Sequence, residues 1–252
     1  MIGRLLTLFG NLSLKMNKLI SNHNQNVLPY HICFIIDGNR RWAREKNLPT
    51  FLGHKKGVER VDEIVSYAQD LGIKIVTIYA FSTENWKRSK EEVSYLMKLF
   101  EDFTVNKMNE ANSQGMKLRI LGNRKGLPTS FQKVLKKAVK LTKNNKKIIV
   151  NIALNYGGRD EIARAFRKLT SLGIKPKEIT EELINQNLDT AGLPDPDFII
   201  RTSGEQRLSN FLPWQATYSE LYFPKVYWPD FDKKQLDSAI TEFQRRQRRL
   251  GK

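Results

Sequence analysis

Short apolar, largely β-branched runs recur along the chain at His31–Ile36, Lys74–Phe81, Lys117–Leu121, Lys147–Leu154 and Asp197–Ile200, with a shorter sixth candidate at Leu221–Phe223. Runs of this kind, bounded by turn residues, predict strands buried on both faces. Between most of them the pattern changes to a helical period. Val58, Val61, Ile64, Val65, Ala68 and Leu71 share one face, which Gly72 closes as a C-cap. Ser89 with Glu92 reads as a capping box opening a helix that carries Val93, Leu96, Met97, Phe100 and Phe103. Phe131, Leu135, Ala138 and Val139 interleave with Lys133, Lys136, Lys137, Lys140, Lys143, Lys146 and Lys147, predicting one amphipathic helix with a solvated basic face. A last helix is predicted from near Asp232 to about Arg249. Strands alternating with helices argue for an α/β fold with a mainly parallel sheet covered on both faces. There is no internal repeat or low-complexity linker, so residues 30–252 read as one domain behind an N-terminal segment, 1–29.

Polar signatures fall where these strands end. Asp37-Gly38-Asn39-Arg40-Arg41-Trp42 follows the first, and Ser82-Thr83-Glu84-Asn85-Trp86-Lys87-Arg88 the second. Asn155-Tyr156-Gly157-Gly158-Arg159 and the stretch from Arg201 to Asn210 follow two others. In open parallel sheets the carboxyl ends of the strands share one edge, and ligands bind there. Four polar loops on that edge predict one convergent site.

Composition narrows what the site can hold. The chain has 252 residues, 40% of them hydrophobic, enough to bury a real core. Its one cysteine, Cys33, lies inside an apolar run, which excludes an internal disulfide and suits a reducing, cytoplasmic setting. No apolar run approaches the roughly 20 residues needed to span a bilayer, and no secretory signal pattern opens the chain. Ile2, Leu5, Leu6, Phe9, Leu12, Met16, Leu19 and Ile20 do fall at helical spacing, with Arg4, Lys15 and Lys18 between them. That segment suits a helix lying peripherally in a membrane interface, and equally a helix packed on the protein body or a partner subunit. The net charge of +17 calls for an acidic partner: nucleic acid, anionic lipid or a phosphorylated small molecule.

The loops favour the last of these. A carboxylate at a strand end, then glycine, then a helix start with two arginines suits Mg²⁺ and diphosphate together. Arg201, Arg207 and Ser209 add bidentate and hydroxyl donors for phosphate oxygens, and His54, in Gly53-His54-Lys55-Lys56-Gly57, supplies a further donor. Two arginine-bearing loops on one edge imply two diphosphate pockets. The chain lacks a Gly-x-x-x-x-Gly-Lys-Ser/Thr loop, a Gly-x-Gly-x-x-Gly turn after a strand, a zinc-type Cys/His cluster and a Gly-x-Ser-x-Gly elbow. A nucleic-acid binder would cluster basic and aromatic residues without a carboxylate-centred site, so nucleic acid is not the expected partner.

Asp-Gly-Asn-Arg-Arg-Trp-Ala at 37–43, Gly-His at 53–54, Tyr-Ala-Phe-Ser-Thr-Glu-Asn-Trp at 79–86 and Asn-Tyr-Gly-Gly-Arg at 155–159 resemble the undecaprenyl diphosphate synthase (cis-prenyltransferase) family. So do Arg-Thr-Ser-Gly-Glu at 201–205, Arg-Leu-Ser-Asn-Phe at 207–211 and Glu-Leu-Tyr-Phe at 220–223, all in the family's order across roughly residues 30–250. The resemblance implies a six-stranded sheet, flanking helices and an apolar product tunnel. It also implies Mg²⁺-dependent condensation of isopentenyl diphosphate onto an allylic diphosphate, farnesyl or geranylgeranyl diphosphate, to give a long (Z)-polyprenyl diphosphate. By this resemblance Asp37 is the catalytic aspartate that positions the metal, and Gly38, Asn39, Arg40, Arg41 and His54 hold the allylic diphosphate. Arg201, Arg207, Leu208 and Ser209 form the isopentenyl diphosphate loop, and Glu220 is the second metal-associated carboxylate. Asn85 matches a residue assigned to proton removal, although an amide is a poor base and suits a positioning role better. Trp42, Ser82, Thr83, Glu84, Trp86 and Arg88 match the lining of the site. Arg249-Leu250-Gly251 resembles a tail that reaches the partner's site, which implies a homodimer. Gln206, Arg40 and Thr50-Phe51-Leu52 depart from common bacterial patterns. A non-catalytic partner subunit of the same fold would lack the aspartate loop and much of the arginine set, both of which this chain has.

Overall fold

The computed structural model describes residues 27–246. The amphipathic stripe before residue 27 and the Arg249–Gly251 tail therefore lie outside the described residues. The six apolar runs become six strands: β1 (His31–Ile35), β2 (Ile75–Ser82), β3 (Met116–Leu121), β4 (Ile148–Tyr156), β5 (Phe198–Arg201) and β6 (Glu220–Tyr222). They form one sheet in the order β3-β4-β2-β1-β5-β6, and every pairing is parallel. Seven α-helices are described: α1 (Asn39–Glu45), α2 (Thr50–Asp70), α3 (Lys90–Ser113), α4 (Thr129–Thr142), α5 (Gly158–Ser171), α6 (Glu181–Asn185) and α7 (Lys233–Arg245). None is long and apolar enough to cross a membrane.

β1, β2 and β5 are almost wholly buried, as continuous apolar runs in a covered parallel sheet should be. Where a polar side chain enters this core it is paired. His31 Nε2 and Asn151 Nδ2 each lie 2.8 Å from Thr77 Oγ1, joining β1, β2 and β4. On one face Phe34 packs against Trp228 and Phe231, which stack on each other at 5.6 Å, and Trp228 Nε1 donates to Gly57 O at 2.8 Å. That bond ties the segment leading into α7 to α2.

Three local expectations change. Ser89 Oγ accepts from Glu92 N at 3.2 Å, but the Glu92 carboxylate turns to His54, Arg88 and Arg40, so only half of the predicted capping box forms. The basic helix α4 stops at Thr142, because Asn145 turns the chain by bonding Asn112 O and Met116 O; Lys143, Lys146 and Lys147 lie beyond it. α7 begins after Asp232, whose side chain caps Gln235 N, and ends at Arg245 rather than near Arg249.

Chain order reverses at the middle of the sheet. After β1 the chain builds toward β2, β4 and β3, and only later returns to place β5 on the other side of β1. Loops leaving β1 and β5 therefore part in opposite directions and leave a crevice between them. Ile35 is in register with Arg201 across this switch point.

Candidate active site

The crevice opens at the carboxyl ends of β1, β2 and β5 as a cleft of about 720 Å³. Asp37, Gly38, Asn39, Arg40, Arg41, Arg44, His54, Ser82, Glu84, Asn85, Arg88, Arg201 and Ser209 line it, five arginines against two carboxylates. The structure thus brings together most of the residues predicted from the sequence, from four separate elements.

Asp37 sits on the floor. Thr202 fixes its backbone from both sides, accepting from Asp37 N at 3.0 Å and donating to Asp37 O at 2.6 Å. Its carboxylate receives Arg201 Nη2 at 2.8 Å and Arg41 Nη2 at 3.2 Å. Burial pushes the Asp37 carboxyl up, yet the two guanidiniums together more than offset it, and the group lies below the usual carboxylate range. Gly38 follows at φ 109°, where a Cβ would come within 2.6 Å of the Tyr227 ring, so the turn into α1 requires glycine. At Gly53 a Cβ would overlap Asn39 O at 2.1 Å, and its absence lets α2 pass close beneath α1.

Arg201 is only 5% exposed in its side chain and holds the second loop in shape. Nη1 donates to Arg207 O at 2.6 Å and Ser209 Oγ at 2.7 Å, while Nε is buried without a partner. The loop is strained: Ser203, Ser209, Asn210 and Leu212 all take positive φ without being glycine. Such geometry persists where surrounding bonds over-determine it, commonly at binding sites. Asn210 is one source of that restraint, donating to Glu84 at 3.0 Å and accepting from Arg159 N at 2.9 Å.

Two glutamates act as clamps that the sequence reading did not assign to the site. Glu92 lies 3.0 Å from Arg88, 3.1 Å from His54 Nε2 and 3.8 Å from Arg40. Glu205 lies 3.1 Å from Arg41 and 2.5 Å from Arg207. Burial lowers His54 below the ordinary imidazole range, and Arg88 and Arg40 beside it act in the same direction against Glu92. His54 therefore lines the cleft as a neutral ring already bonded to Glu92, rather than as an additional cation. Asn85 Oδ1 accepts from Ser82 N at 3.1 Å and closes the turn after β2.

Other predicted residues fall outside the cleft wall. Trp42 lies under Lys46, whose Nζ is 5.0 Å from the ring centroid. Trp86 donates to Asn155 Oδ1 at 2.7 Å and packs edge-on against Phe81. Thr83 lies beside Gly157, and Leu208 packs against the apolar cluster around Cys33. Arg207 is 59% exposed, directed to Glu205. Glu220 departs furthest from expectation. It is paired with Phe198, three residues before Arg201 along a parallel strand, and its carboxylate receives Arg246 at 2.9 Å. Within one chain, therefore, Glu220 and Asp37 do not share one ion. Among the described residues no group of three or more His, Cys, Asp or Glu side chains is arranged to hold a metal. One hard carboxylate, Asp37, in a cation-lined cleft is a donor set that would suit Mg²⁺ brought in together with a phosphate group.

Beneath the cleft lies an apolar cavity with room for about 130 Å³, walled by α2, α3, α4 and the sheet. Ile36, Val58, Ala80 and Phe100 line both spaces, so the polar cleft and the apolar cavity adjoin.

A cationic cleft at the switch point of a parallel sheet, beside a hydrocarbon-lined cavity, is a site whose place and charge suit an anionic ligand. The comparisons agree. The family described as "Putative undecaprenyl diphosphate synthase" matches residues 35–251, and the chain belongs to it. It is an enzyme, a prenyltransferase. An isoprenyl transferase of Bacillus cereus is 44% identical over 246 residues, covering 96% of this chain and 95% of the relative. One from Agrobacterium fabrum is 47% identical over 228 residues, covering 89% and 92%. Among solved structures, lavandulyl diphosphate synthase from Lavandula x intermedia, in complex with dimethylallyl diphosphate, superposes with a TM-score of 0.86 at 38% identity, covering 89% of this chain and 99% of that one. A probable undecaprenyl diphosphate synthase from Campylobacter jejuni gives 0.75 at 31% identity, covering 90% and 100%.

Proposed function

We propose that this prenyltransferase condenses isopentenyl diphosphate units onto an allylic diphosphate, farnesyl or geranylgeranyl diphosphate, in a Mg²⁺-dependent reaction that yields a long (Z)-polyprenyl diphosphate. The arginine-rich cleft lying against the apolar cavity, with Ile36, Val58, Ala80 and Phe100 common to both walls, supports this reading. An allylic substrate placed with its diphosphate against Arg40, Arg41 and Arg88 directs its tail past Ile36, Val58, Ala80 and Phe100 into the cavity. Each added isoprene unit is then buried at about 25 cal/mol per Å² of apolar area.

The attacking group is a carbon–carbon double bond, a weak nucleophile, so the barrier falls mainly through stabilising the departing diphosphate. Arg40, Arg41 and Arg88 supply fixed positive charge there, and Asp37 is the carboxylate that would hold the metal. When bound with substrate, Mg²⁺ neutralises diphosphate charge. Arg201, Arg207 and Ser209 hold the diphosphate of isopentenyl diphosphate and orient its double bond toward the allylic carbon. Loss of a proton from the condensed product completes each cycle, and the isopentenyl diphosphate becomes the new allylic head. Asn85 orients this step; the departing diphosphate is a better proton acceptor than an amide.

The catalytic domain spans residues 30–252, follows an N-terminal amphipathic segment at 1–29, and works as a cytoplasmic homodimer able to meet a membrane peripherally. Incubation with labelled isopentenyl diphosphate and each allylic starter, with and without Mg²⁺, tests the reading when products are resolved by length. The expected result is metal-dependent incorporation into products many units long. Absence of incorporation with every starter overturns it.

A further inference from the structure

The positive charge of the chain is unevenly placed. Between Glu110 and Asp160 there is no Asp or Glu, while twelve Lys and Arg fall in the same stretch, against a net charge of +17 for the whole chain. Seven of the twelve lie on or just after α4: Lys133, Lys136, Lys137 and Lys140 on the helix, and Lys143, Lys146 and Lys147 in the turn leading to β4. All seven are exposed. The lysines that form ion pairs among the described residues are Lys56, Lys98 and Lys107, on α2 and α3, and none of these seven does. Glu101 is the one carboxylate bonded to α4 among the described residues, and it engages Ser130 Oγ at 3.1 Å rather than a lysine.

Helix geometry gathers this charge on one side. At about 100° per residue, Lys133, Lys136, Lys137 and Lys140 fall within an arc of about 100°, opposite the buried Phe131, Leu135, Ala138 and Thr142. Lys133 and Lys137, like Lys136 and Lys140, are four positions apart and repel across one turn, which by itself weakens the helix. Leu141 follows Lys137 at the same spacing and is 39% exposed. On the inner side, Phe131, Leu135, Ala138 and Val139 line the apolar cavity. α4 therefore has hydrocarbon-lined space on one face and concentrated, unneutralised positive charge on the other.

We propose that the outer face of α4, with the turn at 143–147, docks on a bilayer rich in anionic phospholipid. The charge selects an anionic partner, and the rest of the surface selects among them. A single-stranded nucleic acid needs aromatic platforms beside the cations, whereas the one aromatic side chain between residues 114 and 147 is Phe131, which is buried. A bilayer needs only a cationic surface with an apolar contact at its margin, which Leu141 supplies. Each lysine brought close to such a surface raises partitioning by about fivefold. Docked this way, the apolar cavity lies one helix diameter, about 10 Å, from the headgroups. The inference deepens the peripheral membrane contact of the proposed function and rests on that reading for its purpose, since a hydrocarbon tail would then be held beside the phase into which it partitions. It assigns the electrostatic part of that contact to α4 rather than to residues 1–29.

The test sediments the full chain with phosphatidylglycerol–phosphatidylcholine vesicles and with phosphatidylcholine vesicles alone, and reads condensation separately in detergent. Lys133→Gln/Lys136→Gln/Lys137→Gln/Lys140→Gln removes charge from the outer face, and the same four positions changed to Arg keep it. The Gln variant, folded by circular dichroism, should lose about tenfold or more in partitioning onto the anionic vesicles, with detergent activity within about twofold of the parent. The Arg variant should bind as the parent does. Raising salt from about 0.05 M to about 0.5 M should bring the parent down toward the Gln variant, because exposed charges are screened. Equal binding by the parent and the folded Gln variant overturns the proposal, as does parent binding to neutral vesicles as strong as to anionic ones. Tighter binding of a DNA or RNA oligonucleotide than of anionic vesicles, lost in the Gln variant, overturns it in favour of nucleic acid. A parent that incorporates nothing in detergent refutes the proposed function, which sedimentation does not read, so the two failures are distinguishable.

Discussion

Replacing Asp37 separates the stability of the site from its chemistry. In Asp37→Ala the Arg201 guanidinium, 5% exposed, loses its one carboxylate partner but keeps Arg207 O and Ser209 Oγ. Removing one member of a fully buried pair costs about 3–5 kcal/mol. Asp37 is 28% exposed and two neutral acceptors remain, so about 2 kcal/mol is the better figure. For a domain of this size that lowers Tm by roughly 4–8 °C. Asp37→Asn retains an oxygen acceptor for Arg201 and should lose about half as much. Both variants should nevertheless lose condensation by at least 10²–10³-fold, because the charge that anchors metal and diphosphate is gone. Thermal unfolding paired with single-turnover incorporation measures the two effects side by side. The Asp37 carboxyl lies below its unfolded value, so its contribution is complete above about pH 4 and disappears only as pH falls through the lower folded value. Assays at neutral pH are therefore free of its titration. An Asp37→Asn enzyme working within a few fold of the parent refutes the assignment, and an Asp37→Ala protein as stable as the parent refutes the Arg201 argument.

Three further outcomes are expected. Arg207→Ala removes an exposed guanidinium directed to Glu205, so stability should hold while the KM for isopentenyl diphosphate rises by about tenfold or more, from roughly 1.5–3 kcal/mol of lost charge-assisted bonding; a larger rise for the starter would reverse the assignment of the pockets. Glu92→Gln keeps an acceptor for Arg88 and His54 but releases the ionic clamp, and should raise the starter KM about threefold to tenfold with little change for isopentenyl diphosphate, read from initial rates. His31 is pushed down to about 4 by burial, so the fold resists its protonation: stability is full above about pH 6.5 and falls by roughly 3 kcal/mol as pH drops to about 4, and urea midpoints across that window should show a slope that His31→Gln flattens.

The strands were legible in the sequence because a covered parallel sheet leaves no polar alternation to confuse the pattern, and all six runs lie within a residue or two of β1–β6. Convergence of the strand-end loops was legible for the same reason, since parallel strands place their carboxyl ends on one edge. The clamps were not. Glu92 read locally as the third helical residue of a capping box, whereas its main partner His54 is 38 positions away and is brought to it by the packing of α2 on α3. Periodicity did not reveal the apolar cavity, which only the family resemblance implied, because its wall draws single faces from three helices and three strands that periodicity treats one at a time. Glu220 is the opposite case: a motif in the right order located a carboxylate, but strand register puts it level with Ile32, five residues before Asp37.

That last placement bears on how the site is completed. Asp37 is the one described carboxylate on the cleft floor bonded to both arginine-bearing loops, while Glu84 hydrogen-bonds Asn210 and Glu92 and Glu205 engage the surrounding cations. Acidic side chains thus pair with the guanidiniums on which the proposed reaction depends. On the proposed function, a diphosphate entering the cleft would take over donors that are already aimed, so little side-chain ordering would remain to oppose binding. The carboxylates also keep these arginines from repelling one another, which a cluster of five around one cleft would otherwise do. Pre-aimed cations on one side and a small, apolar cavity on the other place the cost of substrate entry at different ends of the molecule. On the proposed function, head-group binding would be arranged in advance, whereas a long tail would have to find room beyond the roughly 130 Å³ of the apolar cavity.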